Sequence, residues 1–417
     1  MNTEDYTYTY EDEYTNYFDK ALMAFGVFYA IKNSQLDDLD GVVRLVKYGA
    51  FVISLGFSML SILRNFSWTL YHKVAFALLF FIPLYLRVKY FSTVIGSSML
   101  IMAAYNIPFS HIVRSCIRAL IVVFGIVLVS VGLGIIEDRT YFRDVDNFEK
   151  SYAHDLGFRY YSYYAYLGMG LVQCCIYKWR KHISLGQIVF LVAFSYLFFL
   201  LSSTRLQLYA CAAFIITILA IPYIPKQILN NKILASLAVI AYPVICVVLY
   251  FVSKYLILSM FYDGYDELNK AMSNRLTLNE EAFIRYDVTL WGNNLDFDTS
   301  ERTKDYFYID SGYLHVLLGD GLFFIAIILF LYSILTYKLF RSRAYYLYLW
   351  VLIYAVLNIS NGFLVALLEN PILLLAFSDT DSISYDYNLD EEDAEENELE
   401  QCNYEEERSS YNICCDT

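Results

Sequence analysis

Two apolar runs, ILASLAVIAYPVICVVLYFV (residues 233–252) and SGYLHVLLGDGLFFIAIILFLYSIL (residues 311–335), enclose a polar island centred on SNRLTLNEEAFIRYDVTLWGNN (residues 273–294). Each run has the length that carries a helix across roughly 30 Å of hydrocarbon with its backbone bonds satisfied internally. The island, residues 253–309, is long for a connection between spans. Such loops are usually functional or disordered, and this one carries arginines, aromatics and a Trp-Gly rather than a low-complexity spacer.

The rest of the chain repeats the alternation. Hydrophobic residues make up 58% of the 417, mean hydropathy is +0.43, and the apolar residues come in long runs without the period-2 alternation of a barrel. The fold class that follows is an all-α polytopic membrane protein with 10–12 transmembrane helices and one large extracytoplasmic loop. Candidate spans are residues 18–31, 46–63, 74–86, 90–106, 117–136, 160–177, 183–201, 206–221, 233–252, 311–335 and 344–368, with 372–377 as a possible short addition. The first is short, with Asp19 and Lys20 at its edge. The acidic start MNTEDYTYTYEDEYTNYF lacks the basic head and apolar heart of a cleavable signal. The chain thus divides into a membrane body (1–252), the island with short helices (253–310), further spans (311–377) and a tail (378–417).

Charge sorts the loops into two sets. Residues 64–73, 108–118, 178–182, 223–232 and 338–343 hold twelve basic residues and no acid; residues 32–47, 87–89, 137–159 and 202–205 hold ten basic residues and nine acids. The purely basic set is the cytoplasmic candidate, which places the amino terminus inside and the island outside. The net charge of −13 belongs to the tail, where fifteen acids stand against Arg408. A segment so charged cannot bury enough apolar surface to offset its ordering entropy, and disorder is expected there.

Several chemistries are absent from the sequence. Five of the eight cysteines (Cys116, Cys174, Cys175, Cys211, Cys246) fall in or beside spans, Cys402, Cys414 and Cys415 sit in the tail, and the five histidines are scattered, so no zinc pattern forms. There is no Walker loop, dinucleotide turn or His-Glu-x-x-His. No cofactor, metal or nucleic acid is expected. Asp296-Phe297-Asp298 has the spacing of a metal-diphosphate motif, but such triplets arise easily in an Asp-rich loop.

Positive charges mark the candidate site. Arg205 stands in Ser202-Ser203-Thr204-Arg205 between two apolar runs, where an arginine is costly unless it works or snorkels. Arg275 and Arg285 lie on an island stretch that reads as helical over residues 266–286; they suit phosphate oxygens, or they are surface charges paired with Glu280 or Glu281. Asp310 and His315 open the next span and could supply a general base, while Asp310 could equally cap that helix. Glu369-Asn370-Pro371 interrupts a later apolar stretch and could face the same cavity.

These stretches resemble the Wzy-type polymerases that join lipid-linked oligosaccharide repeats into capsule, exopolysaccharide or O-antigen, and more distantly the O-antigen ligases. The resemblance lies in SNRLTLNEEAFIRYDVTLWGNN, IDSGYLHVLLGDGLFF, SSTRLQLY around Arg205, and HDLGFRYYS at residues 154–162. It implies a glycosyltransferase independent of metal and nucleotide in the bacterial plasma membrane, acting on an isoprenoid-diphosphate-linked oligosaccharide. Arg205, Arg275 and Arg285 would hold the diphosphate, with Asp310 or His315 as base and Tyr313, His154 and Arg159 in the substrate site. A flippase and a chain-length regulator are implied as possible partners besides membrane lipid. Where the ligases carry a His-Asn pair, this chain has Asp310-Ser311, with His315 five positions after Asp310. The competing class is a transporter of an anionic substrate, above all a lipid-linked glycan flippase, although no internal repeat supports it.

Overall fold

A computed structural model describes residues 3–379 apart from 66, 68, 91, 92, 146–148, 181, 182, 256–259, 261, 262, 273 and 298–306. The protein is an all-α polytopic membrane protein. Helices α1 (Thr3–Lys32), α2 (Val42–Asn65), α3 (Leu70–Tyr90), α4 (Val94–Ala103) and α5 (Phe109–Gly132) come first. A hairpin of β1 (Thr140–Val145) and β2 (Glu149–His154) follows, then α6 (Tyr161–Trp179), α7 (Leu185–Ser202) and α8 (Arg205–Ala220). The chain continues through α9 (Lys226–Leu229), α10 (Lys232–Val239) and α11 (Ala241–Lys254), and the island holds α12 (Tyr265–Ala271) and α13 (Arg275–Arg285). Helices α14 (Gly312–Gly319), α15 (Gly321–Arg341) and α16 (Tyr345–Leu357) complete the bundle.

Among the described residues, six helices (α2, α3, α5, α7, α8 and α15) are long and apolar enough to cross a bilayer. The count is seven if α10 and α11, bent by 49°, form one span. The bend falls where Pro243 cannot donate a backbone hydrogen bond to the preceding turn. The sequence points to more crossings because some apolar runs lie inside the bundle and do not form long helices. Helix α4 has 10 residues and α16 has 13, and both are largely buried. The run expected to span 311–335 is broken between α14 and α15 around Asp320.

Two further helices are interior. Helix α1 runs the depth of the bundle: Asp19 meets His111, Ser115 and Arg118 at one end, while Lys32 donates to Thr93 Oγ1 over 2.7 Å at the other. Helix α6 is buried along most of its length, with Tyr164, Leu167, Met169, Cys174 and Tyr177 in the core. Protein rather than lipid surrounds these helices, so they tolerate Tyr, Gln and charge that a lipid-facing helix would not.

The run expected to continue as helix to residue 368 stops at Leu357. Residues 358–378 then pass back through the bundle with only a 3-10 turn at Pro371–Ala376, yet most of them are buried. Non-helical backbone at membrane depth requires protein partners for its polar groups, and tyrosines supply them. Tyr332 donates to the Leu364 carbonyl (2.9 Å) and Tyr354 to that of Glu369 (2.6 Å), while Tyr313 donates to the Ala355 carbonyl in the last turn of α16 (2.9 Å). Asn370 Nδ2 reaches the Phe363 carbonyl, and Lys338 that of Ser378. Gly170 of α6 lets this segment come close: a Cβ there would lie 2.2 Å from the Leu368 carbonyl oxygen.

The loops gather at two ends, in the two sets that charge separates. At one end Gln35 bonds the Glu137 carbonyl and Asp155, Arg159 pairs with Asp37 and Asp38, and the island lies beside them. At the other, Asn65 Nδ2 bonds the Tyr105 carbonyl, Asn106 N–H bonds the Phe377 carbonyl, and Tyr345 reaches Asn230.

Candidate functional site

The island docks on the membrane body through a glycine lock. Thr289 and Leu290 accept from the N–H groups of Leu322 and Phe323 (3.0 and 3.2 Å), and Asn293 donates through both its backbone N–H and Nδ2 to the Leu318 carbonyl (2.9 and 2.8 Å). Gly292 (φ +78°) and Gly321 (φ +91°) meet face to face. A Cβ on Gly292 would lie 2.0 Å from the Gly319 carbonyl oxygen, and one on Gly321 would lie 2.3 Å from the Gly292 nitrogen. Trp291 covers the junction against Tyr85 and Phe323. The Trp-Gly and the Gly-Asp-Gly of the sequence are therefore two halves of one joint.

Upstream, the helix expected over 266–286 is two helices. Asn274 takes a left-handed φ of +61° and turns the chain between them. Asn269 on α12 then caps α13: its Oδ1 accepts from the Leu276 and Thr277 N–H groups (3.1 and 3.3 Å), and its Nδ2 donates to Thr277 Oγ1 (2.6 Å). This places Arg275 at the first turn of α13, where its Nε donates to Asp310 Oδ2 over 2.9 Å. Both side chains are about three-quarters buried. Burial raises the Asp310 carboxyl above its ordinary value, and the Arg275 guanidinium holds that rise back. Asp310 thus belongs to an ion pair; the residue at the cap of α14 is Ser311, whose side chain makes no cap bond.

The other expected site residues are distributed. Arg285 pairs with Glu281 and lies over the Phe307 ring at 4.2 Å. Arg205 is exposed at the start of α8 and makes no ion pair among the described residues. Tyr313 is wholly buried, its hydroxyl committed to the Ala355 carbonyl and its ring near Tyr242. His154 bonds Asp138 (2.7 Å). Arg159 is held by Asp37 and Asp38, each at 2.9 Å. The structure joins Arg275 to Asp310 and does not bring Arg205 or Arg285 into contact with them. Asp298 and the tail beyond Asp379 lie outside the described residues, and among those described no group of three or more His, Cys, Asp or Glu is arranged to hold a metal.

The stretch HDLGF builds the outer loop. Asp155 is fully buried, and its Oδ1 accepts from the N–H groups of Arg139 and Gly157 (both 2.9 Å) while Gln35 donates to Oδ2 (3.2 Å). Burial raises this carboxyl, and the two backbone donors oppose the rise. Gly157 has φ +84°, which a side chain would strain.

A second polar group adjoins the Arg275–Asp310 pair. Tyr29 of α1 donates to the Glu369 carboxylate. Lys32, one turn further along α1, lies within electrostatic reach of Glu369, His315, Asp37 and Arg159. Tyr163 and Tyr308 lie within reach of Tyr29, and Tyr166 within reach of both Arg275 and Asp310. The His315 ring bonds the Ile309 carbonyl and stacks on Phe297 at 5.6 Å. The chain around residues 308–315 thus links the two groups: Asp310 pairs with Arg275, while Tyr308 and His315 lie within electrostatic reach of Tyr29 and Lys32, respectively. Of this second group, sequence reading singles out Glu369 and His315. It passes over Tyr29, Lys32 and Tyr166, although Tyr29 and Lys32 share a helix face at i, i+3.

No family model, curated protein or solved structure matches this chain.

Proposed function

We propose that the protein is a membrane glycosyltransferase that joins isoprenoid-diphosphate-linked oligosaccharide repeat units into a surface polysaccharide. It sits in the bacterial plasma membrane with the island outside. The observation that carries this reading is the Arg275–Asp310 pair: a permanently charged guanidinium and a carboxylate, both mostly shielded from water, at the end of the bundle where the island docks. Guanidinium groups match phosphate oxygens, and a shielded cation gains most against charge that develops as the diphosphate leaves. A hydroxyl of one repeat attacks the anomeric carbon of another. The bond from that carbon to the diphosphate oxygen breaks, and its electron pair departs with the diphosphate toward Arg275. Asp310 and His315 are the groups on residues 308–315 able to take the hydroxyl proton. Arg205 and Arg285 stand further out as cations for the approaching lipid, and Arg159, His154 and Tyr313 support the loops and helices around it. A flippase and a chain-length regulator fit as partners.

The test is elongation by the purified full chain in proteoliposomes given a lipid-diphosphate repeat unit. A ladder of longer glycans forms without nucleotide or added metal. The broken helices α10–α11 and α14–α15 favour a second reading, a flippase, because interrupted helices are a transporter feature. A chain that moves labelled lipid across the vesicle without lengthening the glycan decides for that reading and against the polymerase.

A further inference from the structure

The polymerase reading leaves the proton with Asp310 or His315, and both are engaged, one by Arg275 and the other by the Ile309 carbonyl. Glu369 is different. It is only 4% exposed, lies on the non-helical segment, and its Oε2 accepts from no residue among those described. A carboxylate buried in this way loses its hydration and is unfavourable unless its surroundings compensate it, so its retention at this depth calls for a function. The compensation comes from one side. Tyr29 donates to Oε1, and Lys32 lies within electrostatic reach. Tyr29 is less buried than Glu369 and lies within electrostatic reach of Tyr163 and Tyr308, so its hydroxyl is the more accessible member of the bonded pair.

We propose that Tyr29 and Glu369 form a proton relay for the glycosyl transfer, with Tyr29 receiving the proton of the attacking sugar hydroxyl while passing its own to Glu369. The inference rests on the polymerase reading. The new bond joins the sugar oxygen to the anomeric carbon, the bond from that carbon to the diphosphate oxygen breaks, and the diphosphate keeps the electron pair. The hydroxyl proton ends on Tyr29 Oη, and the former Tyr29 proton ends on Glu369. Lys32, beside the pair, balances the carboxylate before the step. Tyr29 touches the substrate, and Glu369 acts through it.

The relay is tested by elongation kinetics on Tyr29→Phe, Glu369→Gln and the double variant, each normalised to folded protein by size exclusion and melting temperature. Binding of a sugar-free isoprenoid diphosphate is measured alongside. Each single variant loses about 10²-fold or more in kcat, the usual scale of general-base catalysis. The double variant is no slower than the worse single one, because removing either member already breaks the unit. Binding of the isoprenoid diphosphate stays within about two-fold of wild type. A wild-type kcat in either single variant, or losses that multiply in the double, overturns the relay while the polymerase reading stands. If Glu369→Gln does not fold, Glu369→Asp replaces it and retains part of the rate only where Tyr29 is intact; a rate indifferent to Tyr29 sinks the relay. Wild-type protein that makes no longer glycan removes the polymerase reading, and the relay with it.

Discussion

Arg275 is the residue on which the most depends. Its guanidinium is bound to Asp310, so it is already oriented before any anion arrives. Arg275→Ala is expected to cut elongation by about 10²–10³-fold, the scale for removing one donor to developing charge, with protein abundance near wild type. Elongation that survives this change would remove Arg275 from the diphosphate site. Asp310→Asn separates two roles. If Asp310 serves to orient Arg275, KM for the donor rises and kcat changes little; if it is the base, kcat falls at constant KM. Stability should also report on the pair. Burial raises the Asp310 pKa, so the folded chain holds that proton more tightly than the unfolded one. The resulting stability is present at low pH and is lost as pH rises from about 4, the ordinary aspartate value, through the raised one. Arg275→Ala leaves burial unopposed and raises that pKa further. The melting temperature of this variant should therefore fall more steeply than that of wild type as pH rises above about 4, and Asp310→Asn should flatten the dependence.

At the scale of elements, two joints position the site. The first is the glycine lock between residues 289–293 and the start of α15, which holds the island against the bundle. Gly321→Ala would place a Cβ 2.3 Å from the Gly292 nitrogen in a left-handed conformation, which costs about 1–2 kcal/mol even before the clash. The island should then be cut faster by protease in the folded protein. Unchanged proteolysis and melting temperature would mean that the lock carries no load. The second joint is the non-helical segment. Tyr354→Phe removes the donor to the Glu369 carbonyl, and leaving that group buried and unpaired costs about 1–3 kcal/mol. The loss should appear in the melting temperature, and in elongation too, because the same residue carries the relay carboxylate.

The whole molecule is a bundle with an organised end and a basic end. Cysteines introduced at Asp40 and Leu290, both exposed at the island end, should react with an impermeant maleimide on intact cells. Those at Lys226 and Arg341, exposed at the other end, should react only after permeabilisation. The opposite pattern would place the island in the cytoplasm and end the proposal of an external glycan site. The interior of the bundle shows how far hydropathy reaches. Lipid-facing helices such as α7 are apolar all round and are legible as spans. Helices α1 and α6 meet protein on most sides, so their sequence is freed from that constraint and carries the polar groups of the site.

Sequence by itself determines the helical membrane class, the island and its flanks, and the division of loops into two ends, because hydrocarbon and charge act on local composition. It also marks Arg275 and Asp310, whose types are informative in short polar stretches beside spans. It reads residues 344–368 as one continuous span, because apolar side chains look alike in a helix and in a buried turn. What distinguishes them is the donors: Tyr313 and Tyr332 come from elsewhere in the chain, and Tyr354 reaches Glu369 only because the chain folds back on α16. The same distance hides the Tyr29–Glu369 bond, which joins residues 340 positions apart. Only packing of α1 against that segment brings the hydroxyl to the carboxylate, since no local pattern records which buried polar groups will satisfy one another.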